Sequence, residues 1–218
     1  MRCAHFYALT VVILSAPFAK GEVNLLDNGS FEEGNTGFTS GYRYSPGNLQ
    51  PEGSYDVVTN PHNSHPLAPS YGDHTTGTGK MLAFNGATTP GVVAWTETVV
   101  VQRSTTYSFA GWISSWSAGG PSASLNIYVN SVLLKQVDVS QTSGVWESFG
   151  GAWTSGTDPT ATLAVVDTRV DATGNDFALD DLSFIAIPEP ASLALLPVGA
   201  LALLRRHRVA RPENPTEK

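Results

Sequence analysis

Short runs of Val, Ile, Thr and aromatic residues, each bounded by Gly, Pro, Asn or Ser, recur along the middle of this chain and leave room for little except β-structure. They cover residues 55–59, 80–85, 92–101, 106–116, 124–129, 132–139, 146–153, 161–166 and 177–185. Tyr107, Phe109, Gly111 and Ile113 alternate with Ser108, Ala110 and Trp112, and Leu125, Ile127 and Val129 alternate with Asn126 and Tyr128. Successive strand side chains leave opposite faces, so this period of two marks half-buried antiparallel strands. No segment between the two ends of the chain carries a helical period. About nine strands at this spacing predict an all-β antiparallel β-sandwich. Asn130-Ser131 reads as a tight hairpin turn, and residues 34–54 and 60–78 as long loops rich in Gly and Pro.

The ends read differently. Arg2 precedes an apolar run over residues 6–16, and Ala19-Lys20-Gly21 offers a small-x-small cleavage site. Residues 1–21 therefore read as a helical secretory signal peptide. The only cysteine, Cys3, lies within it, so the exported part has no disulfide, thiolate nucleophile or Cys-based metal site.

At the other end Pro188-Glu189-Pro190 is followed by the apolar stretch 191–204 and by Arg205-Arg206-His207-Arg208. Fourteen helical residues reach only about 21 Å, short of the roughly 20 residues that span a bilayer comfortably. Pro188 and Pro190 bar a continuous helix from the preceding strand. The basic cluster would be retained in the cytoplasm, with everything before it outside. A short C-terminal transmembrane helix suited to temporary anchoring is the expectation. These three parts resemble the PEP-CTERM sorting domain of exopolysaccharide-producing bacteria. The resemblance implies recognition by an exosortase, which removes the helix and releases or re-anchors the rest. The tail 209–218 runs past the point where such signals usually stop, and an ordinary C-terminal membrane anchor is the alternative. The expected organisation is thus signal peptide 1–21, β-sandwich 22–187, sorting and anchor segment 188–208 and charged tail 209–218.

The exported domain carries five basic side chains, Arg43, Lys80, Arg103, Lys135 and Arg169, against sixteen Asp and Glu, a balance of minus eleven. An acidic surface repels phosphate backbones and anionic lipid, so nucleic acid is excluded as the expected partner. Acidity suits solubility outside the cell and also calcium.

Two stretches at opposite ends of this domain carry sharper information: Asn24-Leu25-Leu26-Asp27-Asn28-Gly29-Ser30-Phe31-Glu32 and the run 175–184, which contains Leu179-Asp180-Asp181-Leu182-Ser183-Phe184. Strand alternation puts Asp180 on the side of Leu182 and Phe184, facing the core if those two do, and sends Asp181 the other way. An inward carboxylate needs backbone amides, a remote base or a bound cation, because burying it unpaired costs several kcal/mol. Both stretches resemble the carbohydrate-binding modules of the galactose-binding jelly-roll superfamily. Similar secreted bacterial proteins also carry a central pattern that stands here as Asp73 to Gly86. The resemblance implies a jelly-roll fold with its first and last strands side by side, and a structural calcium ion at their edge. Matched residue by residue, Glu32 and Asp180 take the carboxylate positions and the segment around Gly79 and Lys80 supplies backbone oxygen. Calcium takes six to eight oxygens, so this set is incomplete, and Asp180 held by backbone amides without metal stays open.

A sugar site needs an aromatic platform flanked by polar groups. Trp116, Tyr42 and Tyr44 are surrounded by turn residues and are candidate ligand contacts, as is Tyr128, which faces away from Ile127. Trp95, Trp112, Trp146 and Trp153 sit in strand patterns and read as core or edge packing. His62, His65 and His74, with Asp73, could hold zinc, but loop spacing does not orient them, and ordering of the loop is the plainer reading. There is no Gly-x-Ser-x-Gly elbow and no phosphate loop, and Asp180 and Asp181 on opposite faces cannot flank one glycosidic bond. The expected function is therefore noncatalytic binding of extracellular polysaccharide at the bacterial cell envelope or in its exopolysaccharide matrix. The alternative is a structural or adhesive matrix protein that binds no sugar, with a glycan-acting hydrolase as an outsider.

Overall fold

The computed structural model describes residues 22–117 and 119–188. The signal peptide, Glu189, Pro190, Arg205, Arg206, Arg208 and both expected terminal helices lie outside these residues, and of the sorting motif only Pro188 lies within them.

Ten strands form the described part: β1 (Arg43–Tyr44), β2 (Ser54–Val58), β3 (Met81–Asn85), β4 (Val92–Val100), β5 (Thr106–Ser115), β6 (Ser124–Val129), β7 (Val132–Asp138), β8 (Glu147–Thr154), β9 (Thr160–Asp167) and β10 (Phe177–Ala186). They make a six-stranded sheet in the order β1-β2-β3-β10-β5-β8 and a four-stranded sheet in the order β4-β9-β6-β7. Every pairing is antiparallel except the two-residue pairing of β1 with β2. This is the expected all-β jelly-roll sandwich, with β1 added to the nine runs. The turn between β6 and β7 has φ of 46° at Asn130 and 64° at Ser131, the pair of positive angles that matches strand twist in a two-residue hairpin.

Alternate side chains from both sheets meet in one core. Trp95 of β4 lies over Phe109 of β5, with centroids 6.0 Å apart, and Tyr107, Trp153 and Phe184 close the neighbouring layer. Trp95 and Trp153 are buried there, in keeping with their strand patterning.

The N-terminal stretch runs beside β10 without becoming a strand. Leu25 N–H donates to Phe184 O at 2.9 Å, Leu182 N–H donates to Gly29 O at 2.8 Å, and the Asn24 side chain bridges Leu182 O and Phe184 N–H. A Cβ at Gly29 would lie 2.2 Å from Leu182 O, so only glycine permits this approach.

Two departures from the sequence-based expectations matter for the site. The loops on either side of β2, joined by Leu49 N–H donating to Ser64 O, lie over one face of the six-stranded sheet, where Leu49, Val58, Ala68, Met81, Ala83, Trp116 and Ala178 form a second apolar cluster. Trp116 is consequently 2% exposed rather than displayed on a loop. In addition, the register of β10 against β5 shifts between Asp180 and Ser183, and Asp181 has φ of 48°. This bulge resets the side-chain alternation. Leu179, Leu182 and Phe184 all enter the main core, while Asp180 shares its side with Ala178 under the loop after β2, not with Leu182 and Phe184.

Candidate functional site

The four expected ligand residues are not brought together. Tyr42 is buried, and its hydroxyl donates to Asp167 Oδ2 at 2.6 Å, so it serves an internal network. Burial, then the Asp167 charge, raises the Tyr42 phenol pKa and keeps the phenol protonated. Trp116 donates its Nε1–H to Phe177 O at 3.0 Å and is too buried to serve as an open platform. Both stand among turn residues in the sequence; the segments that cover them come from elsewhere in the chain, and their burial corrects the expectation. Tyr44 is 43% exposed on edge strand β1, tilted against Tyr55. Tyr128 lines a groove on the four-stranded sheet, and Trp116 forms part of the wall of a second, smaller cavity.

The groove is shallow, about 590 Å³ in volume, and lined by Tyr128, Asn130, Ser131, Thr162, Ala164 and Val166. Its origin is strand alternation. Leu125, Ile127 and Val129 of β6 and Ala161, Leu163 and Val165 of β9 enter the core, so Asn126 and Tyr128, with Thr162, Ala164 and Val166, face outward on the four-stranded sheet. Asn126 Nδ2 donates to the Tyr128 hydroxyl at 3.1 Å and fixes the ring, while Asn126 Oδ1 is buried with no partner. Thr98 and Thr162 share a hydrogen bond at 2.9 Å along the same face. An aromatic ring between aliphatic patches, edged by amides and hydroxyls, offers what a sugar presents in complement: apolar C–H faces and polar rims.

The expected calcium residues lie at the junction of the N-terminal stretch, the 73–80 loop and β10. Glu32 Oε1 accepts from Lys80 N–H at 2.7 Å, and Lys80 Nζ donates to Glu32 O at 2.7 Å. Burial acts to raise the Asp73 pKa, but the N–H groups of Thr76 and Gly79 and the Thr76 hydroxyl, all donating to it, are among the hydrogen bonds that together bring it below the usual carboxylate value. A Cβ at Gly79 would sit 2.2 Å from Glu32 Oε1 and 3.0 Å from Asp73 Oδ2, so glycine keeps that space clear. Asp180 is fully buried and accepts from the backbone N–H groups of His74 and Asp181, both at 2.8 Å. Burial first, then repulsion from Asp181 and Asp73, pushes its pKa up to about 7. The carboxylate oxygens suit a hard cation, and each Asp180 oxygen retains a lone pair, but Lys80 turns its backbone N–H and its ammonium toward Glu32. Among the described residues, however, no three His, Cys, Asp or Glu side chains converge at ligand distance.

The histidines are separated. His62 Nδ1 contacts Ala68 O, His65 packs against Trp116, and His74 stacks on Trp112 at 3.8 Å with Nδ1 2.6 Å from Asp181. Each ties the long loop to itself or to the sheet. Trp146 donates to Gly72 O and helps hold the same loop, which agrees with edge packing for Trp112 and Trp146.

A further cavity, of about 260 Å³, opens at the loop end of the sandwich, where Gln50, Glu52, His65, Asn85, Trp116 and Asp176 meet. No motif in the sequence singles out Asp176 or Glu52. Burial first pushes the Asp176 carboxyl up to about 6, with repulsion from Asp167 adding, and burial and then Asp176 raise Glu52.

No family model matches the chain, and no curated protein matches it. Solved structures do. The xylan-binding CBM22-1 domain of Xyn10C from Paenibacillus barcinonensis is 18% identical, with TM-score 0.51, over 79% of this chain and 99% of that one. A Stig cyclase from Fischerella sp. TAU is 12% identical, with TM-score 0.53, over 78% and 100%. An arabinose-bound α-L-arabinofuranosidase is 15% identical, with TM-score 0.51, over 75% of this chain and 26% of that one. Carbohydrate-binding modules and enzymes thus share this β-sandwich, and the common fold does not choose between them.

Proposed function

We propose that this chain is an exported, noncatalytic glycan-binding protein that engages polysaccharide along the Tyr128 groove. One observation carries the reading: Tyr128 stands open on a cavity and shares its sheet face with Asn130, Thr162, Ala164 and Val166. An open groove along the strands accommodates an internal stretch of polymer, whereas a closed pocket would take a chain end. The similarity in fold to a xylan-binding module supports a polysaccharide as the ligand class. No pair of carboxylates flanks the groove among its described lining residues, so binding without bond cleavage is the reading it favours.

Sorting belongs to the same proposal. Residues 1–21 direct export, and Pro188-Glu189-Pro190 with the apolar run and the Arg cluster anchors the protein in the membrane until an exosortase trims it. The glycan-binding domain then acts at the cell envelope or within the exopolysaccharide matrix. Calcium, held by Glu32, Asp180 and the backbone at Lys80, would fasten the N-terminal stretch to β10.

Affinity electrophoresis of the purified full chain through gels containing xylan, galactan or the producing cell's own polysaccharide tests the binding. Retardation on at least one glycan, lost in Tyr128→Ala, is expected. Migration unaffected by every glycan would leave the structural or adhesive matrix role in its place.

A further inference from the structure

The cavity at the loop end is separate from the Tyr128 groove and has a different chemistry. Trp116 forms part of its wall, with His65 tilted against the indole at 5.2 Å, and Leu67, 89% exposed, stands at the rim. Asn85 is 4% exposed and donates Nδ2 to Leu49 O at 2.7 Å and to Gln50 O at 3.2 Å. Those two carbonyls fix the amide, and among the described residues no hydrogen bond uses its Oδ1. Asp176 Oδ1 accepts from Gly86 N–H at 3.1 Å, and Glu52 lies close enough to be affected by the Asp176 charge. His65 Nδ1 is buried with no partner.

Beside the amide of Gln50 and the hydroxyls of Ser117 and Thr173, the cavity presents an amide oxygen, two carboxylates and an imidazole, with no Lys or Arg among its described lining residues. A ligand that completes it must bring hydrogen-bond donors. Two carboxylates lining one cavity repel each other, and a ligand with positive charge relieves that repulsion without a bound proton. Leu67 adds apolar surface for a ring. At about 260 Å³ the space lies just below the usual range of roughly 300–1,000 Å³ for ligand pockets, which suits one ring rather than a chain.

We propose that this cavity is a second binding site, for a single sugar residue carrying a free ammonium group, such as a de-N-acetylated hexosamine. Glu52 and Asp176 pair with the ammonium, Asn85 Oδ1 accepts from a ring hydroxyl, and Leu67 covers one face of the ring. The site stands independently of the groove, so the chain could hold a polymer on one surface and a cationic sugar at its end.

The test is a titration of the ¹⁵N-labelled full chain in detergent micelles, following the Trp116 indole N–H, with glucosamine, chitosan oligosaccharides and N-acetylglucosamine. Glucosamine and its oligomers are expected to shift the signal, with the acetylated sugar at least about tenfold weaker, since one charge-assisted hydrogen bond is worth roughly 1.5–3 kcal/mol. Asp176→Asn should weaken binding by about the same factor, and Glu52→Gln, at an exposed carboxylate, by about two- to fivefold. Tyr128→Ala should leave it unchanged, which separates this site from the groove. Glu52 is exposed, so its variant carries the test should Asp176→Asn fail to fold. Equal binding of the acetylated sugar, no binding of any of the three, or tighter perturbation of the same signal by calcium chloride alone would overturn the proposal.

Discussion

Tyr42 donates a 2.6 Å hydrogen bond to Asp167 Oδ2 across 125 residues of sequence, in a pocket where Asp167 is fully buried. The same oxygen accepts from Asn175 Nδ2 at 2.9 Å and from Ala87 N–H at 3.3 Å, and Oδ1 accepts from Arg169 N–H. The carboxylate thus joins the segment before β1, the turn after β3 and the β9–β10 connection. Four donors share the burial of one charge, the arrangement that makes a buried carboxylate tolerable.

Removing only the phenol oxygen tests the strength of that junction. Tyr42→Phe keeps the ring packed against Phe84 and Phe177 but takes one charge-assisted donor from Asp167. A loss of about 1.5–3 kcal/mol is expected. In a domain of this size that lowers the melting temperature by roughly 3–12 °C, measured by circular dichroism. An unchanged melting temperature would show that Asn175, Ala87 and Arg169 suffice to hold Asp167.

Much of the fold is legible in the amino-acid sequence, because period-two patterns report directly on which face of a strand is buried. Leu125, Ile127 and Val129 are core and Tyr128 is open, as alternation implies. What escapes the sequence depends on contacts between distant segments. β1 owes its existence to pairing with β2 and has only two residues. Trp116 is buried by a loop that joins other strands, and no local signal near residue 116 announces it. Asp180 lies on the opposite face from the expected one because a single bulge at Asp181 breaks the count on which parity arguments rest. That Asp176 and Glu52 line one cavity is hidden for a related reason: the two residues are far apart in the chain and come to the same end of the sandwich only in the fold.

Glu97 gives a prediction with a definite sign in pH. It accepts from Asp27 N–H at 2.8 Å through Oε1, while Oε2 is buried without a partner. Burial first, with repulsion from Asp27, pushes its pKa up to about 7 from 4.5. A raised carboxyl pKa means the native state holds the proton more tightly than the unfolded chain. Its contribution is present in full below about 4.5 and is lost as pH rises through about 7. Glu97→Gln cannot ionise, so the melting temperature of the variant relative to the parent should climb between pH 5 and pH 8. Taking the difference between the two chains cancels titrating groups that do not interact with Glu97, Asp180 among them. Parallel curves across this range would remove Glu97 as a source of pH dependence.

Asp180 decides between a cation and backbone amides. Fully buried, with its pKa raised to about 7 by burial and by Asp181 and Asp73, it is charged at pH 8 against the preference of its surroundings. As with Glu97, the stability it contributes is present below the ordinary carboxylate range and lost as pH rises through about 7. A calcium ion shared with Glu32 would hold the carboxylate ionised and offset that loss, so the effect of calcium should grow from pH 6 to pH 8. With free calcium at 100 times its dissociation constant, native-state binding contributes about 2.7 kcal/mol, which raises the melting temperature by roughly 5–10 °C over a chelator-treated sample. Asp180→Asn should abolish the response to calcium and flatten the decline in stability between pH 6 and pH 8. If melting is the same in calcium and in chelator at every pH, the amides of His74 and Asp181 alone hold the carboxylate, and the N-terminal stretch is fastened to β10 by Asn24 and Gly29 without help from an ion.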